Sequence, residues 1–264
     1  MVETHFVTDK VNVRVNERVA TVEFNRPDSL NALDTEMIKG LVWKLKEISE
    51  SDDIDIVVLT GKGRAFSAGG DIKWMIDQTN ESDFLGLMES LNELIVTLYS
   101  LPKLTISAIS GAAAGLGLSI ALATDYIIAD LSSILAMNFI GIGLIPDGGG
   151  HFFLEKRLGE TKAKQLIWEG KKYRADEALQ IGLIQEVAEE GLQEALDARI
   201  ADWLSRPVHA MIKTKKILAE KNRPQLLKIL ELEKYGQLKM RETADHREGI
   251  QAFIEKRPAR FIGK

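Results

Sequence analysis

Three short stretches of this 264-residue chain carry residues whose types and spacing suit chemistry. GRAFSAGGDI, residues 63–72, follows DIDIVVLTG, residues 53–61, which reads as a buried parallel strand. Asp71 is placed to cap a helix starting near Ile72, and the junction before it is made of small residues, Ser67, Ala68, Gly69 and Gly70. A second such junction, GAAAGLG at residues 111–117, joins the apolar run LTISAIS to a helix ending near Ala123. Helix N-termini present unpaired N–H groups and the positive end of the helix dipole. If the two junctions face each other, an N–H near Ala68 and one near Leu116 converge on a single oxygen. That is the composition of an oxyanion hole, which holds charge developing on a carbonyl. Tight strand–helix packing favours the same small residues, so composition leaves both readings open.

The third stretch is IGLIPDGGGH, residues 142–151. An apolar rim of Ile142, Leu144 and Ile145 would desolvate Asp147 and raise its pKa towards that of a general base. A Pro-Asp-Gly turn explains the same letters. His151 lies four residues on and could share a helical face with Asp147, or serve at the surface or as a cap.

Other chemistries find little support. The chain has no cysteine, which removes thiolates, disulfides and Cys-based metal sites. His5, His209 and His246 lack ligand spacing, no HExxH or GxSxG occurs, and Gly61-Lys62-Gly63 is too short for a phosphate loop, so no metal is expected. GAAAGLG also matches the glycine spacing of NAD(P)-dependent short-chain dehydrogenases, and Tyr235 with Lys239 spells Tyr-x-x-x-Lys. Against that reading, the glycine loop begins only at residue 111 instead of following the first strand, and Tyr235 lies in a charged helical tail. Trp74, Met75, Met88, Met137 and Phe139 suit either an apolar pocket or ordinary core.

The elements that must position these residues follow from periodicity. Residues 11–24 alternate around Asn16-Glu17 as a hairpin, and residues 25–34 form a turn. Met37, Leu41, Leu45 and Ile48 mark a helix over 35–50; Leu85, Met88, Leu91, Ile95 and Leu98 mark another, ending before Pro102. Strands are expected at 54–60, 104–110, 125–130 and 133–139, with a helix starting near Gly150. Strand, loop and helix recur to about Val187, which argues an α/β architecture with its function at the carboxyl ends of strands. From Gly191 the pattern is helical and charged. The expected division is a catalytic core at 1–190 and a helical packing or oligomerisation region at 191–264. The net charge of −5 gives nucleic-acid binding no electrostatic support. No apolar run reaches spanning length and no secretory leader is evident, so a cytoplasmic protein is expected.

In this order the motifs resemble those of the crotonase (enoyl-CoA hydratase/isomerase) family over almost the whole chain. NRPDSLNAL resembles the family's entry turn, GRAFSAGGDI its first oxyanion loop, SGAAAGLGLSIALATD its second and GIGLIPDGGG its third active-site segment. GKKYRADEALQIGLIQEV and FIEKRPARF resemble its later signatures. The resemblance implies a spiral of ββα turns with a C-terminal α-helical region that builds trimers, often paired into hexamers. It implies an acyl-CoA substrate, no cofactor beyond that coenzyme A, and a thioester enolate held by the N–H groups of Ala68 and Leu116. The implied substrate and coenzyme A contacts are Arg64, Ala65, Phe66, Ala68, Gly69, Asp71, Ile72, Gly115, Phe139 and Lys256, with Asp71 capping the loop. Family hydratases use two glutamates to activate water; those positions fall on Ser119 and on or beside Phe139. What remains is Asp147, at a Pro-Asp position where isomerases and dehalogenases of the family carry a reacting aspartate. Proton transfer that moves a double bond is therefore expected, with hydration of a 2-enoyl-CoA and non-catalytic acyl-CoA binding as alternatives.

Overall fold

A computed structural model describes residues 7–71 and 80–264. His5, Ile72, Trp74, Met75 and the helix start near Ile72 lie outside the described residues. Strands β1 (Val11–Asn16) and β2 (Val19–Phe24) form the expected antiparallel hairpin, turning at Glu17 with positive φ. Helix α1 (Thr35–Glu50) begins where Asp34 accepts the Met37 N–H at 2.9 Å, and it buries Met37, Ile38, Leu41, Leu45 and Ile48. Helix α2 (Glu81–Tyr99) buries Met88, Leu91, Ile95 and Leu98 against it.

Two sheets carry the rest. In the larger, β1 and β2 are followed by β3 (Ile56–Gly61), β5 (Leu104–Ile109), β7 (Tyr126–Asp130) and β10 (Glu186–Ala188), parallel from β2 onward. The smaller contains β4 (Ala65–Ser67), β6 (Ala112–Ala114), β8 (Ile134–Ala136) and β9 (Lys172–Arg174). The chain passes three times from the large sheet to the small one, β3 to β4, β5 to β6 and β7 to β8, and each pass leads on towards a helix. This is the expected spiral of ββα turns. The three-residue strands escape sequence reading because they are too short to show alternation. For the same reason the strand expected over 133–139 ends at Ala136, after which the chain enters a 3-10 turn at Ile140–Ile142.

Short helices α3 (Leu116–Leu122), α4 (Gly150–Leu158), α5 (Glu160–Glu169) and α6 (Ala175–Gln180) complete the spiral. Helices α7 (Leu192–Leu204), α8 (Val208–Arg241) and α9 (Ala244–Glu255) form the tail. Near its start, α8 is fastened to the large sheet by Lys215. The ammonium meets Asp125 Oδ2 at 2.8 Å and donates to the Lys103 carbonyl at 2.8 Å. Asp125 also accepts the Thr105 N–H and hydroxyl, each at 2.8 Å. Burial pulls the Lys215 pKa below its ordinary value, so its charge depends on this partner. The sequence offered no sign of this lock.

Lys215→Met should therefore lower unfolding stability by about 3 kcal/mol, the low end for a broken buried pair because Asp125 keeps some access to water. A urea unfolding midpoint measured beside the parent protein checks this.

Candidate active site

The first junction is held by the turn that precedes α1. Ser67 donates its hydroxyl to the Asn31 carbonyl at 2.8 Å, and the Asn31 amide donates to the Lys62 and Ala65 carbonyls at 3.0 and 2.8 Å. Backbone bonds then alternate between the two segments: Ala68 N–H to the Leu30 carbonyl at 2.9 Å, Leu33 N–H to the Gly69 carbonyl at 2.8 Å, and Asp71 N–H to the Leu33 carbonyl at 3.0 Å. The expectation for Ala68 is corrected by this ladder, because its N–H is committed to Leu30. Gly70 lies between the two residues bonded to Leu33. Successive peptide groups of an extended chain point to opposite edges, so the Gly70 N–H faces away from Leu33. It finds no acceptor among the described residues. The free donor has moved two residues along the chain.

The second junction supplies the other donor. Gly115, at φ +52°, donates its N–H to the Ala136 carbonyl at 2.8 Å and turns the chain into α3. Leu116 is the first residue of that helix, so its N–H has no partner within the helix. The junctions do face each other. A Cβ placed on Gly69 would lie 2.8 Å from the Ala114 carbonyl oxygen and 3.5 Å from the Leu116 nitrogen. Gly70, Leu116 and Asp147 line one cavity of about 230 Å³, together with Asn138, Phe139, Lys172 and Phe253. Two backbone donors and a carboxylic acid on one small cavity can hold a carbonyl oxygen and move a proton beside it.

Asp147 sits in the turn before α4, between Pro146 and two glycines with positive φ. Ile142 and Leu144 line the cavity with it as expected; Ile145 does not. Its Oδ2 accepts from Gln237 Nε2 at 3.3 Å, whereas Oδ1 is buried without a partner. Desolvation, and after it the negative charge of Glu233, hold the Asp147 carboxyl well above the usual carboxylate range. Glu233 is itself buried and accepts the Gly149 N–H at 2.7 Å, the His151 N–H at 3.1 Å and a contact from His151 Nδ1 at 2.8 Å. His151 therefore belongs to α4 and to Glu233. It shares no helical face with Asp147, which precedes that helix.

At the two glutamate positions of the family hydratases, Ser119 is fully buried and donates to the Asp147 carbonyl at 2.8 Å. Phe139 lines the cavity beside Gly115. The remaining expected contacts divide. Gly69 and Gly115 line the cavity, as does Ala68 through the surface it exposes there. Phe66 is core, its ring 5.1 Å from that of Phe24, and Ala65 is buried as well. Arg64 and Lys256 are exposed and outside the cavity lining, and Asp71 Oδ2 accepts from Arg26 at 3.0 Å. Met88 and Met137 are core, the latter against Ser119. Sequence reading missed Gly70, Lys172, Phe253, Glu233 and Gln237. The last two come from a charged helix, where the ordinary expectation is a solvated side chain, yet they are 2% and 1% exposed. Tyr235, between them in sequence, is 55% exposed, so the Tyr-x-x-x-Lys pair faces away from the glycine loop chemistry a dehydrogenase needs.

Fold and site together present an α/β protein whose small cavity is lined by Gly70, Leu116 and Asp147. The match to known proteins narrows this: residues 14–264 fit the enoyl-CoA hydratase/isomerase family model, and the chain belongs to that family. It is 45% identical to YhaR of Bacillus subtilis (strain 168), a protein named only provisionally as an enoyl-CoA hydratase/isomerase, over 95% of this chain and 98% of that one. It is 35% identical to the 1,2-epoxyphenylacetyl-CoA isomerase of Escherichia coli (strain K12), over 95% and 97%. The crystal structure of an enoyl-CoA hydratase from Mycobacterium avium subsp. paratuberculosis K-10 superposes with a TM-score of 0.88 at 30% identity, covering 97% of this chain and all of that one.

The raised Asp147 pKa has a consequence for stability. In the interval above the pKa of an unfolded aspartate the native state binds the extra proton, so folding is favoured at low pH and loses that support as pH rises through the native value. Asp147→Asn, which keeps shape without charge, should stabilise the fold at pH 7 and do so much less at pH 4. Urea unfolding of both proteins at the two values checks the sign.

Proposed function

We propose that the protein is an enoyl-CoA isomerase in which Asp147 moves the proton. The thioester of a 3-enoyl-CoA enters the cavity with its carbonyl oxygen between the N–H groups of Gly70 and Leu116. The Asp147 carboxylate takes the proton from C2, the electrons of that C–H bond form a C1–C2 double bond, and charge passes to the thioester oxygen. The resulting dienolate then collapses with protonation at C4 by the same Asp147 carboxyl, which gives the 2-enoyl-CoA and restores the carboxylate. The donors bind the oxyanion more strongly than the neutral carbonyl, which is where rate enhancement arises. A carboxylate with raised proton affinity is the better base for a carbon acid.

The observation that carries this reading is that Asp147 supplies the one carboxyl among the described residues lining the cavity, with Ser119 and Phe139 where water-activating glutamates would stand. A relative 30% identical and named a trans-2-decenoyl-[acyl-carrier-protein] isomerase supports the same choice. Hydration of a 2-enoyl-CoA is the second reading, favoured by the fold's likeness to a hydratase. No group besides the coenzyme A of the substrate is required. Arg64 and Lys256, both exposed, are the proposed partners of the coenzyme A phosphates. The exposed apolar residues Leu232, Tyr235, Phe253 and Ile254 of the tail are consistent with burial in a homotrimer or dimer of trimers.

Asp147→Asn should reduce conversion of a 3-enoyl-CoA to the 2-enoyl-CoA by about 1,000-fold while acyl-CoA still binds. Rapid hydration of crotonyl-CoA that survives this substitution would overturn the mechanism, and acyl-CoA binding without turnover of any thioester would favour a binding protein. Gly69→Ala should lower kcat about 100-fold, since the added methyl lies 2.8 Å from the Ala114 oxygen and must push the two donors apart. Steady-state kinetics of the purified variant reads this directly.

A further inference from the structure

One turn of α8 packs against the segment that carries Asp147. Gln237 donates through Nε2 to the Ile145 carbonyl at 2.5 Å, two residues before Asp147, and to Asp147 Oδ2 at 3.3 Å. Glu233, four residues earlier and so on the same helical face, takes the N–H groups of Gly149 and His151 on the other side. Gly236 lets the helix approach, since a Cβ there would lie 2.5 Å from Ile145 Cδ1. The segment that carries the acid is thus gripped before, at and after Asp147 by two side chains that are almost wholly buried.

We propose that Glu233 and Gln237 are positioning residues for Asp147, fixing its backbone on both sides and one of its carboxylate oxygens. This rests on the proton-transfer reading of Asp147. The two residues act on its charge with opposite sign. Glu233 is a negative neighbour and disfavours the Asp147 carboxylate; Gln237 donates a hydrogen bond and favours it. Among the described residues, the titratable groups around Asp147 are Glu233 on α8, His151 on α4 behind Glu233, and Lys172 on β9 across the cavity. Helix α3 presents Ser119 and α9 presents Phe253, neither of which titrates here.

Carboxyl carbon NMR on the full-length protein labelled at aspartate tests this without turnover, with the Asp147→Asn protein identifying the resonance. Glu233→Gln retains an oxygen for the Gly149 N–H and removes the charge; Asp147 should then titrate about one pH unit lower. Gln237→Met should move it upward. General loosening would move both variants downward towards an ordinary carboxylate, so the opposite signs are diagnostic. Titrations that stay unchanged, or that shift in the same direction, overturn the proposal. If Glu233→Gln does not fold, the sign in Gln237→Met decides alone: an upward shift supports the proposal, and no shift or a downward one overturns it. Isomerisation unimpaired in Asp147→Asn would sink the proposed function while leaving the measured positioning intact.

Discussion

The site depends on two stretches of backbone meeting with nothing between them. Gly69 adopts φ +101° and packs against the Ala114 carbonyl at a distance no β-carbon could tolerate. Gly117 does the same against Ser67, where a Cβ would come within 2.7 Å of the serine side chain and its carbonyl oxygen. These contacts bring the second edge of one strand–helix junction to the first turn of the next. Much else serves to hold them. The ladder from Leu30 to Leu33 fixes one side, the β6–β8 pairing and the Gly115 bond to Ala136 fix the other, and Arg26 closes the first loop through Asp71.

Around that contact the charge is arranged with little help from solvent. Asp147 is partly withdrawn from water and faces another carboxylate, an arrangement that costs stability and raises proton affinity together. Glu233 carries its own compensation, in two backbone donors at the start of α4 and the ring of His151. The helix that brings Glu233 is anchored at Lys215, about 27 Å away along its axis. Lys215, paired at the large sheet, and Glu233, beside the cavity, are therefore carried by one helix.

Most of the spiral was legible because its long elements follow simple rules. The period of α1 and α2 and the apolar runs of β3 and β5 state their own structure. The two small-residue junctions and Asp147 were visible as compositional oddities. What could not be read was which backbone group was free. Ala68 and Gly70 differ only in which edge of an extended segment each N–H faces, and that depends on pairing with Leu33, distant in sequence. Glu233 and Gln237 were hidden for another reason: a long polar helix looks solvated unless one knows what packs across it, and Tyr235 on the same turn is in fact exposed.

The donors at Gly70 and Leu116 have a consequence for how such a site changes over time. Any residue except proline offers a backbone N–H, so under the proposed function neither position would need a particular side chain. Leu116 is leucine because it is buried in the core, 4% exposed, and not because leucine polarises a carbonyl. Role and residue identity are uncoupled there, and the burden of heredity shifts to neighbours that never touch the reacting atoms. The glycines at 69 and 117 and the Asn31 amide hold the path of the chain past the cavity.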